Sequence, residues 1–188
     1  KPARMIIRER AAEGVDQAPA VPPGRRTAAA VKVSNADRVI DPTSGLTKLE
    51  LVRYYESVAE WMLPHLKNRP GSLVRGPTGV TGQLFFQKHA EKTSMPGIRE
   101  LSTQLWPGHD ALLEVGTVQA LAGAAKMNVI EFHTWNSTAK AIDKPDRMIF
   151  DLDPGEGTTW AHIQEAAVLM RAMLTELGLE SWLKTSGG

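Results

Sequence analysis

The sequence predicts an α/β (α+β) protein with a central mixed sheet flanked by helices. Three observations lead there. Residues 47–66 and 158–178 repeat their apolar side chains at helical spacing. Short runs near 72–79, 83–89, 128–135, 147–154 and 181–186 are rich in branched and aromatic residues, and turn-formers bound them. The second long helix lies between the last two of these runs, which is the order of a βαβ unit.

Taken in order, the chain opens with residues 1–30, whose stretch AAEGVDQAPAVPPGRRTAAA is Ala/Pro/Gly-rich and has no apolar periodicity. That composition predicts a linker, with the folded domain running from Val31 to Gly188. In TKLELVRYYESVAEWMLPHL, Thr47 and Glu50 form a T-x-x-E capping box, and Leu51, Tyr55, Val58 and Met62 follow on one helical face. SLVRGPTG and QLFFQKH read as strand, turn and strand, with Pro77 and Gly79 in the turn. TVQALAGAAKM predicts a short buried helix, and NVIEFHTW and RMIFDLDP predict strands. In TTWAHIQEAAVLMRAMLTELG, Ile163, Ala167, Met170, Leu174 and Leu177 share a face, and Gly178 stands where a helix ends. SWLKTS predicts a final strand. The chain begins with Lys and ends on two glycines after that strand, so it reads as a piece of a longer protein.

Composition narrows the function classes. With 188 residues, 42% hydrophobic and 23% charged, the chain is long enough for one domain with a real core. The absence of Cys excludes a disulfide scaffold and a Cys-based zinc site, and fits a reducing compartment. No apolar run approaches the roughly 20 residues of a membrane helix, and the basic start lacks the apolar core of a secretory signal. These features predict a cytoplasmic protein with no membrane partner. Charge is uneven: residues 1–80 hold 13 Lys/Arg against 8 Asp/Glu, and residues 81–188 hold 9 against 13. A basic half beside an acidic half suits a protein that grips a polyanion with one part and binds metal with the other. It is equally what two solvated faces of opposite sign would show.

The stretch MIFDLDPGEG carries the chemistry. In a strand, Asp151 and Asp153 would point to the same side, about 6–7 Å apart at Cα. Two close carboxylates repel, and a divalent cation removes that repulsion while also taking substrate phosphates as ligands. Two solvated aspartates before a turn would give the same letters. Three classes use a strand-borne D-x-D. Haloacid-dehalogenase-type phosphatases continue D-x-D-x-T, whereas position 155 here is Gly. Metal-dependent glycosyltransferases hold a nucleotide-sugar diphosphate with it, and nucleotidyltransferases organise two metals with paired Asp residues.

Six segments in order then point to one family. VSNADRVIDPTSGLTKLELVRYY, LVRGPTG, FFQKH, VIEFHTW, RMIFDLDPGEG and WLKTSGG closely resemble the polymerase domain of bacterial ligase D, a member of the archaeo-eukaryotic primase superfamily. The resemblance covers Val31 to Gly188. It implies a primase-polymerase-type fold, incomplete at its C-terminal end, with residues 1–30 linking it to a ligase domain in the same parent chain. It also implies template-directed filling of gaps at double-strand breaks in non-homologous end joining. The implied substrates are nucleoside triphosphates, with ribonucleotides favoured over dNTPs, and the implied metal is Mn²⁺ or Mg²⁺ in a two-metal site. Implied partners are DNA ends carrying a 5′-phosphate and the Ku protein, at the nucleoid.

By the same resemblance Asp151 and Asp153 are metal ligands, and His133 lies near the triphosphate and metals. Ser186 contacts the nucleotide phosphates, where a small hydroxyl beside glycines leaves N–H groups free for an anion. Arg38 and Lys48 bind the 5′-phosphate across the gap. Phe85 and Phe86 match a pair that stacks on the template, and because a strand turns them to opposite faces only one would reach DNA. Lys88 and Arg75 are backbone or phosphate contacts. The family's third carboxylate and second His fall beyond Gly188, so residues 1–188 alone are expected not to polymerise. The chain departs from the family at Asp41, where an aromatic residue is frequent, and at Gly76, where Cys is common. Two other classes stay open: a metal-dependent phosphatase of D-x-D type, and a non-catalytic module that binds DNA ends through their 5′-phosphate.

Overall fold

The computed structural model describes residues 33–89 and 95–184. The predicted linker, residues 1–30, and Ser186 lie outside the described residues. The chain divides into two compact units, one ending at Pro145 and one running from Asp146.

The first unit begins with a small ribbon of β1 (Val39–Asp41) and β2 (Leu46–Thr47). Asp41 shapes the turn between them, because its carboxylate accepts from Thr43 N at 2.9 Å and from the Ser44 hydroxyl at 2.6 Å. These bonds hold the Asp41 carboxyl below the usual carboxylate range, the Ser44 hydroxyl first. The departure from the family at this position is thus a turn residue with a local structural role.

Helix α1 (Lys48–Ser57) starts at the predicted capping box. Thr47 N donates to Glu50 at 2.8 Å, and Glu50 N donates to the Thr47 hydroxyl at 3.3 Å. The predicted single helix is instead two, because α2 (Ala59–Leu66) starts after a break at Val58. At the break the Ser57 hydroxyl donates back to Tyr54 O at 2.7 Å.

The main sheet is built on β3 (Gly71–Arg75). It pairs with β4 (Phe85–Gln87) and β6 (Leu113–Glu114), and also with β7 (Val129–Thr134), while β5 (Arg99–Glu100) extends it from β6. The β3–turn–β4 hairpin is the one read from the sequence. At its turn Gly79 has φ +103°, and a Cβ there would stand 2.6 Å from Ile40 O, so glycine lets the turn close on β1. Helix α3 (Val118–Lys126) is the predicted short buried helix; Ala120, Leu121, Ala124 and Ala125 are fully buried. One core joins Ile40, Leu51, Val52 and Tyr55 to Leu73, Leu121 and Val129. Tyr55 reaches across it. Its hydroxyl donates to the Val129 and Ile130 carbonyls at 3.2 and 3.1 Å, and its ring meets Phe132 edge-on at 5.3 Å.

The second unit carries α4 (Trp160–Glu176), as predicted, with Thr159 as its N-cap. It ends in a Schellman motif at Gly178, φ +72°, with Gly178 N on Thr175 O and Leu179 N on Leu174 O. On the predicted face Leu174 is buried and Ile163, Ala167 and Met170 are half-buried, but Leu177 is exposed. Neither predicted strand beside α4 is present among the described residues. Residues 148–155 and 181–184 are not in strands, and the rest of the last run lies outside the described residues. All strand pairings among the described residues are antiparallel, and the parallel pair expected of a mixed sheet is not found among them.

Candidate nucleic-acid and metal site

The chemistry-bearing residues of the first unit form two groups. The first is cationic. Lys48 is the opening residue of α1, and its backbone N donates to Arg38 O at 2.8 Å, so the capping turn sets the two residues side by side. The Arg38 guanidinium donates to Pro77 O, in the β3–β4 turn. Lys48 is only 5% exposed, and no carboxylate pairs with it among the described residues. Its ammonium is held below the ordinary lysine range, by burial first and then by the charges of Arg38 and Lys126. Lys126, in the last turn of α3, is a cation that sequence reasoning passed over. A single lysine at a helix C-terminus reads there as a dipole partner.

The second group lies on the outer face of the sheet. Ladder register places Phe86, Val74 and Glu131 in one row, and Ser72 opposite His133. Residues directly opposite in a ladder, and residues two apart on a strand, share a face, so Phe86, Glu131 and His133 do. The His133 and Phe86 rings are 5.3 Å apart, and His133 Nε2 lies 2.6 Å from Glu131 Oε2. Phe86 is 59% exposed. Phe85 turns to the other face, under the Arg75 guanidinium at 5.1 Å. Of the predicted aromatic pair, Phe86 is thus the ring that faces solvent. Arg75 is correspondingly engaged within the fold, its Nε donating to Met127 O at 3.0 Å and its terminal N to Gln87 at 2.8 Å. Lys88 is exposed directly after β4. Glu131 is a site residue that sequence reasoning missed; the signal was an acidic residue two before a histidine in a strand, which the alternation rule places beside it.

Asp151 and Asp153 belong to the second unit, and both are exposed. The expected buried strand beneath them is corrected: the segment is irregular, with Met148 61% and Ile149 69% exposed. Strand alternation therefore does not fix the two carboxylates on one face. As donors they suit a hard divalent cation. Among the described residues no group of three or more His, Cys, Asp or Glu side chains is placed to hold a metal ion. No helix among the described residues is long and apolar enough to cross a membrane.

Comparison with known proteins agrees with the motif order. The family model described as LigD, primase-polymerase domain, matches residues 47–188. The multifunctional non-homologous end joining protein LigD of Pseudomonas aeruginosa is 45% identical over the whole chain, which covers 23% of that protein. The protein of the same name from Mycolicibacterium smegmatis is 35% identical over 84% of the chain, covering 21% of its own length. Among solved structures, the polymerase domain from Mycobacterium tuberculosis ligase D in complex with DNA matches with a TM-score of 0.62 and 28% identity, over 79% of this chain and 54% of that one. The chain thus spans about a quarter or less of the curated relatives it matches. With the family model covering most of the chain and the mixed helix–sheet architecture shared with a solved polymerase domain, the chain belongs to the LigD primase-polymerase domain family.

Proposed function

We propose that this domain carries out template-directed nucleotidyl transfer at DNA ends during non-homologous end joining, filling gaps that are bounded by a 5′-phosphate. The observation that supports it best is the coexistence, in one unit of a LigD-family chain, of an exposed ring beside a histidine–carboxylate pair and a set of buried or half-buried cations with no counter-charge among the described residues. In this reading Phe86 stacks on the template base. His133, oriented by Glu131, contacts the nucleotide triphosphate, as does Ser186. Arg38 and Lys48 grip the 5′-phosphate, and Lys88 touches the DNA backbone.

Asp151 and Asp153 would hold Mn²⁺ or Mg²⁺, with further ligands from residues other than those described. When bound, such a cation neutralises the triphosphate and the charge that develops on its oxygens. Residues 1–30 are assigned as a linker and 31–188 as polymerase-domain sequence. A ligase domain in the same polypeptide and contact with Ku complete the proposed setting.

The test is nucleotide incorporation on gapped DNA with manganese, by a polypeptide carrying this domain together with the region that follows it in the relatives. Asp153→Ala should abolish synthesis while DNA binding stays within about twofold, because the carboxylate acts on the metal and not on the duplex. Equal synthesis by mutant and wild type refutes the reading. A second reading, a DNA-end-binding module, is favoured by the cation set alone. It is supported if binding requires the 5′-phosphate and no incorporation accompanies it.

A further inference from the structure

We infer that Lys126 completes, with Arg38 and Lys48, a three-cation cradle that selects a terminal phosphate over an internal phosphodiester. The inference rests on the proposed end-binding role of Arg38 and Lys48 and adds a residue and a charge class to it.

A buried ammonium is costly unless an anion faces it. Lys48 is buried, and the carboxylates nearest in sequence are engaged elsewhere. Glu50 accepts from Thr47 N and the Thr47 hydroxyl, and Asp41 accepts from Thr43 and Ser44. The fold therefore sets an uncompensated positive charge at the start of α1, where the helix dipole adds to it.

Lys126 is tied to the same place by two routes. Helices α1 and α3 share one core, through Leu51, Val52 and Tyr55 on one side and Leu121, Ala124 and Ala125 on the other. The residues after Lys126 are bonded to the segment that holds Arg38: Met127 O accepts from Arg75 Nε, Asn128 O accepts from Gly76 N at 2.8 Å, and the next residue, Pro77, gives its carbonyl to Arg38. No carboxylate pairs with Lys126 among the described residues.

Three like charges held together repel one another, and the repulsion is best offset by a ligand of more than one negative charge. A terminal phosphate monoester carries about −1.5 to −2 near neutral pH, whereas each internal phosphodiester carries a single charge. A third cation thus raises affinity for the end of a strand more than for its interior.

The experiment uses the 188-residue chain and fluorescence anisotropy on gapped duplexes whose downstream strand ends in a 5′-phosphate, a 5′-phosphate methyl ester or a 5′-hydroxyl. Wild type should prefer the phosphate to the methyl ester, and either to the hydroxyl. Lys126→Met should bind the phosphate about tenfold more weakly and the hydroxyl within about twofold, and lose the preference for phosphate over methyl ester. Lys126→Arg should restore that preference. Far-UV circular dichroism of Lys126→Met should match wild type and its urea midpoint should be equal or slightly higher, which separates lost binding from lost folding. A Lys126→Met chain that keeps the full phosphate preference overturns the inference and leaves Arg38 and Lys48 as the binding pair. A wild-type chain with no phosphate preference overturns the end-binding reading itself.

Discussion

The unit ending at Pro145 and the unit from Asp146 have similar raw material and different outcomes. Both contain a capped helix and runs of branched and aromatic residues. In the first unit the runs around β3, β4 and β7 pair, and Leu73 and Val129 disappear into a core beneath α1 and α3. In the second, MIFDLD and SWLK remain irregular, and α4 buries only Leu174 while Val168, Leu169 and Met173 face solvent. The difference lies in what each element needs. A helix satisfies its backbone from its own residues, and caps at its ends suffice to start and stop it. A strand finds its partners only in another segment, so strand propensity without a ladder gives no strand.

The comparison breaks most decisively in the cores. Leu121 is 0% exposed, and Leu121→Ala should lower the unfolding free energy by about 2–5 kcal/mol. Leu169, 63% exposed, should tolerate Ala within about 0.5 kcal/mol. Urea denaturation of the two variants checks this, and a loss at Leu169 as large as that at Leu121 would mean that the second unit is packed as the first one is.

Much of this was legible in the sequence because it is local. The Thr47–Glu50 box, the Pro77–Gly79 turn and Gly178 each declare themselves within four residues. The break at Val58 was hidden because the apolar spacing runs straight through it, and only the Ser57 back-bond argues against continuity. The unpaired run at 148–153 was hidden because period and propensity say nothing about a partner. At the candidate site, the sequence named Phe85 and Phe86 as a pair and alternation required that they part, but not which would be exposed; the register with Val74 and the Arg75 guanidinium over Phe85 decide it. Lys126 was invisible because its neighbours, Arg38 and Lys48, are about eighty residues away in sequence.

A smaller effect sharpens the contrast between the two helix starts. At Thr47 the backbone bonds are 2.8 and 3.3 Å, and the hydroxyl also donates to Glu50 at 2.7 Å. At Thr159 both reciprocal bonds with His162 are 3.4 Å. Thr47→Ala should therefore destabilise the first unit by about 1 kcal/mol, and Thr159→Ala should reduce the stability of α4 by less. The measurements are the urea midpoint for the first and far-UV helicity against temperature for the second. A larger loss at Thr159 would show that hydrogen-bond length is not what ranks these caps.

The last effect concerns Lys48, where function and stability pull apart within the better-packed unit. Burial, Arg38 and Lys126 hold its folded-state pKa below the ordinary 10.5. Between the folded and unfolded values the unfolded chain binds more protons, so stability rises with pH across that window. Below the folded value the full cost of charging is present. Lys48→Met should therefore be slightly more stable than wild type at pH 7 in chloride, by on the order of 1 kcal/mol or less. The gap should narrow as pH rises towards 10. Above that, Tyr55 acts in the opposite sense. Burial pushes its phenol upward, so the folded state keeps a proton that the unfolded chain loses, and stability falls with pH in wild type and mutant alike. Urea midpoints from pH 7 up to the ordinary lysine value test the narrowing, and a gap that stays constant over that whole range contradicts it. Adding inorganic phosphate at pH 7 should raise the midpoint of wild type more than that of Lys48→Met, because only wild type has a buried charge for the anion to compensate.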